Sequence, residues 1–210
     1  MKIDNKRIAK NTLMLYSRQI LILFVNLYTM RVVLNVLGVE DYGVYTVVGG
    51  IVALFTFLSA TLASATQRFF SFSLGQNDKE KLKKTFTVNW VVYSGIAVVA
   101  FILLETLGLW FVSEHLKVPP LRFDALLWVY HFSVLTFIFV VITTPFMAII
   151  IAYEDMHIYA YISIVEVLLK LGVVFSLMLL PEAWDELVVY GVLVFAVSVF
   201  NAIAYICVCL

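Results

Sequence analysis

Apolar positions in this chain come in long uninterrupted runs, with polar residues gathered in short clusters between them. Six stretches, 11–37, 42–74, 84–112, 121–153, 158–180 and 186–210, are predominantly apolar, and each exceeds or matches the roughly 20 residues a helix needs to cross a bilayer. Hydrocarbon tolerates only backbone that satisfies its own N–H and C=O groups, so runs of this length read as helices. The breaks between them carry turn chemistry: Leu37-Gly38-Val39-Glu40-Asp41, Gly75-Gln76-Asn77-Asp78, Pro119-Pro120, Glu154-Asp155 and Pro181. The pattern predicts an all-α polytopic membrane protein, a single lobe of six transmembrane helices over residues 1–210.

Composition removes the soluble alternative, because 63% of residues are hydrophobic and 13% charged, about half the ~25% charge of a soluble domain. The 14 basic and 14 acidic residues cancel, so net charge favours neither nucleic acid nor an acidic partner. Their placement is more telling. Lys2, Lys6, Arg7, Lys10, Arg68, Lys79, Lys81, Lys83 and Lys84 fall at one end of the spans, and Arg31, Lys117 and Arg122 at the other. Nine against three predicts a cytoplasmic N-terminus. The first run is too long for a secretory signal and is followed by no small-residue cleavage pattern, which makes it a retained helix. The basic loop 76–84 reads as an orientation determinant that touches anionic lipid. The last run stays apolar to Leu210 with no basic flank, the pattern expected of a chain cut short or of one half of a longer protein.

Catalytic and metal chemistry find little support. Cys207 and Cys209 point to different faces of the last helix, and His115, His131 and His157 are scattered without ligand spacing, so no metal site is expected. No constellation of nucleophile, base and orienting group is present, and an enzyme is the least supported class.

Polar residues inside the spans carry the functional signal. On the first helix Asn11, Thr12, Arg18, Gln19, Asn26 and Thr29 share one arc of about 120° at 100° per residue; either this stripe faces other helices or a cavity, or Arg18 snorkels to the headgroups. The second collects Thr46, Gly49, Gly50, Ala53, Ala60, Ser64, Gln67, Arg68 and Ser71 on one side, a helix-packing face or a cavity wall. On the fifth, Tyr159, Ser163, Glu166 and Lys170 share a face, and Glu166 and Lys170 form an i, i+4 pair near the middle of the span. A charge at that depth costs about 2.5–3.5 kcal/mol on insertion scales and marks either a functional site or a self-satisfied packing pair. His131 is a proton-carrying candidate or a packing histidine, Glu105 reads as solvated at the outer interface, and Ser198, Asn201 and Tyr205 make a mild polar face on the sixth.

Several of these stretches carry a resemblance. Arg31-Val-Val-Leu-Asn-Val-Leu-Gly38-Val-Glu40-Asp41-Tyr42-Gly43-Val-Tyr45, Val47-Val48-Gly49-Gly50 and Gln67-Arg68-Phe69-Phe70, with Asn11-Thr12 and Ala152-Tyr-Glu-Asp-Met156, resemble the polysaccharide (O-antigen) flippase family of the multidrug, oligosaccharidyl-lipid and polysaccharide exporter superfamily. The resemblance implies the first six-helix lobe of a twelve- to fourteen-helix exporter in a bacterial inner membrane. It implies alternating-access flipping of polyprenyl-pyrophosphate-linked oligosaccharide for lipopolysaccharide or capsule, with no cofactor beyond a proton or sodium gradient. Arg18, Asn26 and Lys170 are then the substrate-binding cavity candidates, and Glu166 and His131 the coupling-ion candidates. The expected partners are that lipid-linked oligosaccharide and membrane lipids, with no nucleic acid. Two other readings stand beside it: a multidrug or cation antiporter of the same superfamily, and a noncatalytic component assembled with polysaccharide polymerase or transferase. The absence of any acidic residue between Asp4 and Glu40 counts against the antiporter.

Overall fold

The computed structural model describes residues 5–116, 118–179 and 185–209; Lys2, Lys117, the Pro181 break and Leu210 lie outside them. Its helices are α1 (Asn5–Ala53), α2 (Thr56–Gly75), α3 (Lys79–Leu103), α4 (Leu109–His115), α5 (Phe123–Ala152), α6 (Met156–Leu177) and α7 (Glu186–Cys209). A π-helical turn, Leu104–Gly108, joins α3 to α4, and a 3-10 turn, Pro120–Arg122, leads into α5. No strand occurs among the described residues. Among the described residues five segments are long and apolar enough to span a membrane: Asn11–Ala53, Lys79–His115, Phe123–Ala152, Met156–Leu177 and Glu186–Cys209. The chain is thus an all-helical polytopic membrane protein.

The first of these segments contains a reversal. Gly38 sits at φ 75°, ψ 174°, a region open to glycine and closed to residues with a Cβ. Before it, the chain follows α6, with Arg18 beside Ser163 and Tyr28 beside Phe175. After it, the chain follows α5: Asp41 meets Arg122 at the start, Phe55 meets Phe137, and Phe70 and Phe86 lead to Phe146 near the end. Helices α5 and α6 are antiparallel across a three-residue turn, so the two halves of α1 are antiparallel as well. This gives the lobe a proximal end, where Asn5, Lys79 and Cys209 lie, and a distal end at Gly38.

Two expected spans differ in detail. The range 42–74 is broken at Leu54 and Phe55, where the Phe55 N–H bonds back to the Val52 carbonyl at 3.1 Å and the Thr56 hydroxyl to the Ala53 carbonyl at 2.7 Å; Gly49 and Gly50 weaken the helix just before. The range 84–112 extends to Lys79 because Asp78 caps α3 through the Lys81 N–H at 2.9 Å.

Helix α5 lies at the centre, packed against α1, α2, α3, α6 and α7, with Leu126, Val129, Tyr130, Val134 and Val141 fully buried. Lipid tails are as apolar as these side chains, so close packing and polar links, not water exclusion, hold the helices together. Leu13, Phe24, Phe57, Leu107 and Trp110 point outward, as lipid-facing side chains do.

Tyr130 supplies one such link. Its hydroxyl donates to the Leu104 carbonyl at 2.5 Å, which also accepts the Leu109 N–H across the π-helical turn. Gly108 makes the space, since a Cβ there would overlap the Tyr130 hydroxyl. Gly108→Ala is therefore expected to cost about 1–3 kcal/mol through overpacking, read as a lowered thermal unfolding midpoint in detergent. An unchanged midpoint would show that the turn has room to relax.

At the distal end Arg122 joins three elements. Its guanidinium bonds Asp41 at 3.0 Å and Asp185 at 2.9 Å. Asp185 also caps α7, accepting from the Leu187 and Val188 N–H groups at 3.0 and 3.3 Å.

Candidate functional site

The face of α6 that periodicity assembles from Tyr159, Ser163, Glu166 and Lys170 meets α7 and the first half of α1. Lys170 Nζ donates to Glu166 Oε1 at 2.7 Å, and Asn201 Nδ2 of α7 donates to Glu166 Oε2 at 3.0 Å. Both carboxylate oxygens are thereby engaged, and the pair is half-buried.

Arg18 arrives from α1 one turn nearer the proximal end. Its Nη1 donates to the Ser163 hydroxyl at 3.2 Å, and its guanidinium lies 4.4 Å from the centre of the Tyr159 ring, a cation–π placement. Ser163 in turn donates to the Tyr159 carbonyl at 2.8 Å. Among the described residues no carboxylate pairs with Arg18, and its buried Nε has no hydrogen-bond partner. The guanidinium is held by a ring, the Ser163 hydroxyl and, at 3.5 Å from Nη2, the Gln19 Oε1, with no carboxylate among the described residues to offset its charge.

A cavity of about 180 Å³ opens beside this network, lined by Thr143, Thr144, Ser163, Glu166, Ser198, Asn201 and Tyr205 among others. A second, of about 240 Å³, lies toward the distal end against Tyr45, Gly49, Thr56, Thr136 and Gly191. Val140 lines both, so the two form neighbouring parts of one groove along α5. Glu166 is the charged side chain that lines the proximal part; Arg18 and Lys170 stand beside it, Arg18 on the Ser163 hydroxyl and Lys170 on Glu166 itself.

Arg18, Glu166 and Lys170 are therefore brought together, while the other two candidates lie elsewhere. Asn26 is exposed, without a side-chain hydrogen bond among the described residues. The polar arc of the first helix is wider than its contact with α6, so Arg18 and Thr29 turn inward while Gln19 and Asn26 stay on the open flank. His131 Nδ1 lies 3.0 Å from Glu105 Oε1 in the distal half, outside the Arg18 network. This corrects the reading of Glu105 as a lone solvated carboxylate: the π-helical turn swings it toward α5.

The small-residue side of the second span is also relocated. Thr46, Gly50, Ala53, Ala60, Ser64 and Arg68 are exposed, and the chain buries Val44, Val48, Val52, Ala63, Thr66 and Phe70 instead. That side is not a packing face within this lobe. The links of Asn201 to Glu166 and of Arg18 to Ser163 have no local sequence signature; the spacing of Ser198, Asn201 and Tyr205 on one face was the available hint.

Residues 16–176 match the protein-family model described as MatE. The match takes in Arg18, Glu166 and Lys170 and stops before Asn201. No curated protein and no solved structure matches the chain.

Proposed function

The chain belongs to the MatE family of exporter-type membrane transporters, and from that premise we propose that it flips polyprenyl-pyrophosphate-linked oligosaccharide across a bacterial inner membrane by alternating access. The observation that carries this reading is the excess of cations in the network beside the pocket. Arg18 has no carboxylate partner among the described residues, and Lys170 adds a second cation against the single carboxylate of Glu166. A guanidinium fork and an ammonium point charge suit the oxygens of a pyrophosphate. An organic cation would need an available carboxylate, and both Glu166 oxygens are already taken by Lys170 and Asn201.

Glu166 is also the group through which a proton or sodium gradient would act. Protonation removes the counter-charge of Lys170, as would a sodium ion small enough to displace Lys170 from Oε1, and either frees the ammonium for the substrate phosphate. The cytoplasmic N-terminus and the association with polymerase or transferase proteins belong to the same proposal, with the basic proximal end facing the cytoplasm.

The test is a transport comparison on the gene as it stands in its locus. Inverted membrane vesicles supplied with labelled polyprenyl-pyrophosphate oligosaccharide should move label to the opposite leaflet, and deletion strains should lose surface polysaccharide. Drug resistance on overexpression with polysaccharide unchanged would establish the multidrug reading in its place.

A further inference from the structure

A further cavity is separate from the Arg18 network and larger than either part of the groove beside it. It has a volume of about 640 Å³ and lies at the proximal end between α3, α5, α6 and α7. That is in the usual size class of ligand pockets, ~300–1,000 Å³. Two helices present matched i, i+3, i+4, i+7 ladders across it: Lys79, Leu82, Lys83 and Phe86 from α3, and Phe146, Ile149 and Ile150 from α5, continued by Tyr153 at its C-cap. Ile158, Val208 and Cys209 complete the wall, with Asp155 at the mouth.

The lining is graded along its length. Deep in the groove Phe86 and Phe146 meet edge to face at 5.2 Å, and Phe146 and Ile150 are buried. At the mouth stand Lys79, Lys83, Tyr153 and Asp155, a net positive rim. Neither lysine has a hydrogen-bond or ion-pair partner among the described residues, whereas Lys81 is committed elsewhere, donating to Gln76 Oε1 at 2.6 Å and lying 5.0 Å from the Phe72 ring centre. Phe146, Ile150 and Tyr205 form a buried cluster whose first two members wall the groove and whose third lines the polar pocket, so the two spaces are partitioned.

An apolar slot with a cationic rim at the level where the lobe meets the headgroups has the shape of an amphiphile with an anionic head. We propose that this groove is a binding site for an anionic phospholipid of the surrounding bilayer, its phosphate between Lys79 and Lys83 and one acyl chain along Phe86, Phe146, Ile149 and Ile150. Charge complementarity selects the occupant: a zwitterionic lipid would place its ammonium against two lysines. The site is independent of the substrate the transporter carries.

The experiment is native mass spectrometry of the detergent-purified full chain, titrated with phosphatidylglycerol or phosphatidylcholine of equal chain length. The parent should retain phosphatidylglycerol with a preference of about 30-fold, in line with two lysines near an anionic headgroup. Lys79→Gln/Lys83→Gln should abolish the preference, whereas Lys81→Gln/Lys84→Gln, which removes the same charge from outside the groove, should leave it intact. Ile149→Trp, which keeps both lysines and fills the slot, should also release the lipid, and millimolar inorganic phosphate should not displace it. Equal loss in the two lysine pairs would mean diffuse surface attraction and overturn the site. Displacement by inorganic phosphate, or indifference to Ile149→Trp, would overturn the acyl-chain half of the assignment.

Discussion

Arg18→Gln is expected to lower export of the proposed lipid-linked substrate about 30-fold or more, with the protein present in the membrane at parental abundance. The size follows from charge-assisted hydrogen bonds to a phosphate, worth about 1.5–3 kcal/mol each and so roughly 10- to 150-fold. The sparing of abundance follows from what holds the side chain. Ser163 and the Tyr159 ring contact the guanidinium, no carboxylate depends on it, and removing a charge from a span lowers the cost of insertion. Arg18→Lys keeps the charge and loses the planar fork, and should recover part of the activity. The measurement is surface polysaccharide together with label transfer in vesicles, normalised to protein in the membrane. Full export by Arg18→Gln would remove Arg18 from the substrate path.

Lys170→Gln differs because it leaves the half-buried Glu166 with Asn201 alone. The double variant Glu166→Gln/Lys170→Gln removes both charges and should restore abundance without restoring export. A pair that served only to pack α6 against α7 would be replaceable by that double variant with export intact.

The largest loss of stability is expected from Arg122→Gln. Asp41 is 5% exposed and one of its oxygens already lacks a hydrogen-bond partner, so removing the guanidinium leaves a buried carboxylate uncompensated. The expected cost is about 2–3 kcal/mol, less than for a fully enclosed pair because Arg122 itself is half-exposed. The start of α5, the Gly38 reversal and the cap of α7 lose their common tie together. Thermal unfolding in detergent measures it, and Asp41→Asn/Arg122→Gln should recover most of the loss. An unchanged midpoint in the single variant would show that water already solvates Asp41.

Much of the architecture was legible before any tertiary contact was known. Long apolar runs bounded by Gly38, Gly75, Pro119-Pro120 and Glu154-Asp155 determine helices and their ends, since a bilayer admits almost no other backbone. Helical periodicity alone places Glu166 four residues before Lys170 on the face that also holds Ser163 and Tyr159, and the hydrogen bond between them is a local consequence of covalent geometry. Arg18 was legible as a charge within a polar arc.

Which faces meet was decided only in three dimensions. Hydropathy separates span from loop but does not separate lipid-facing from protein-facing positions, because lipid and leucine are alike to it. For that reason the small-residue side of the second span reads first as a packing face and second as a cavity wall, and Asn26 reads as a companion of Arg18. Packing of α1 against α6 turned Arg18 inward and left Asn26 outside. Packing of α7 against α6 gave Glu166 its second partner in Asn201, and the π-helical turn beside Tyr130 carried Glu105 to His131. The sequence by itself determined the helices, their turns and the charges each face carries, through periodicity and the demands of hydrocarbon. The pairings of Arg18 with Ser163, Asn201 with Glu166 and Arg122 with Asp41 join residues far apart in the chain, and only close packing between helices could select them.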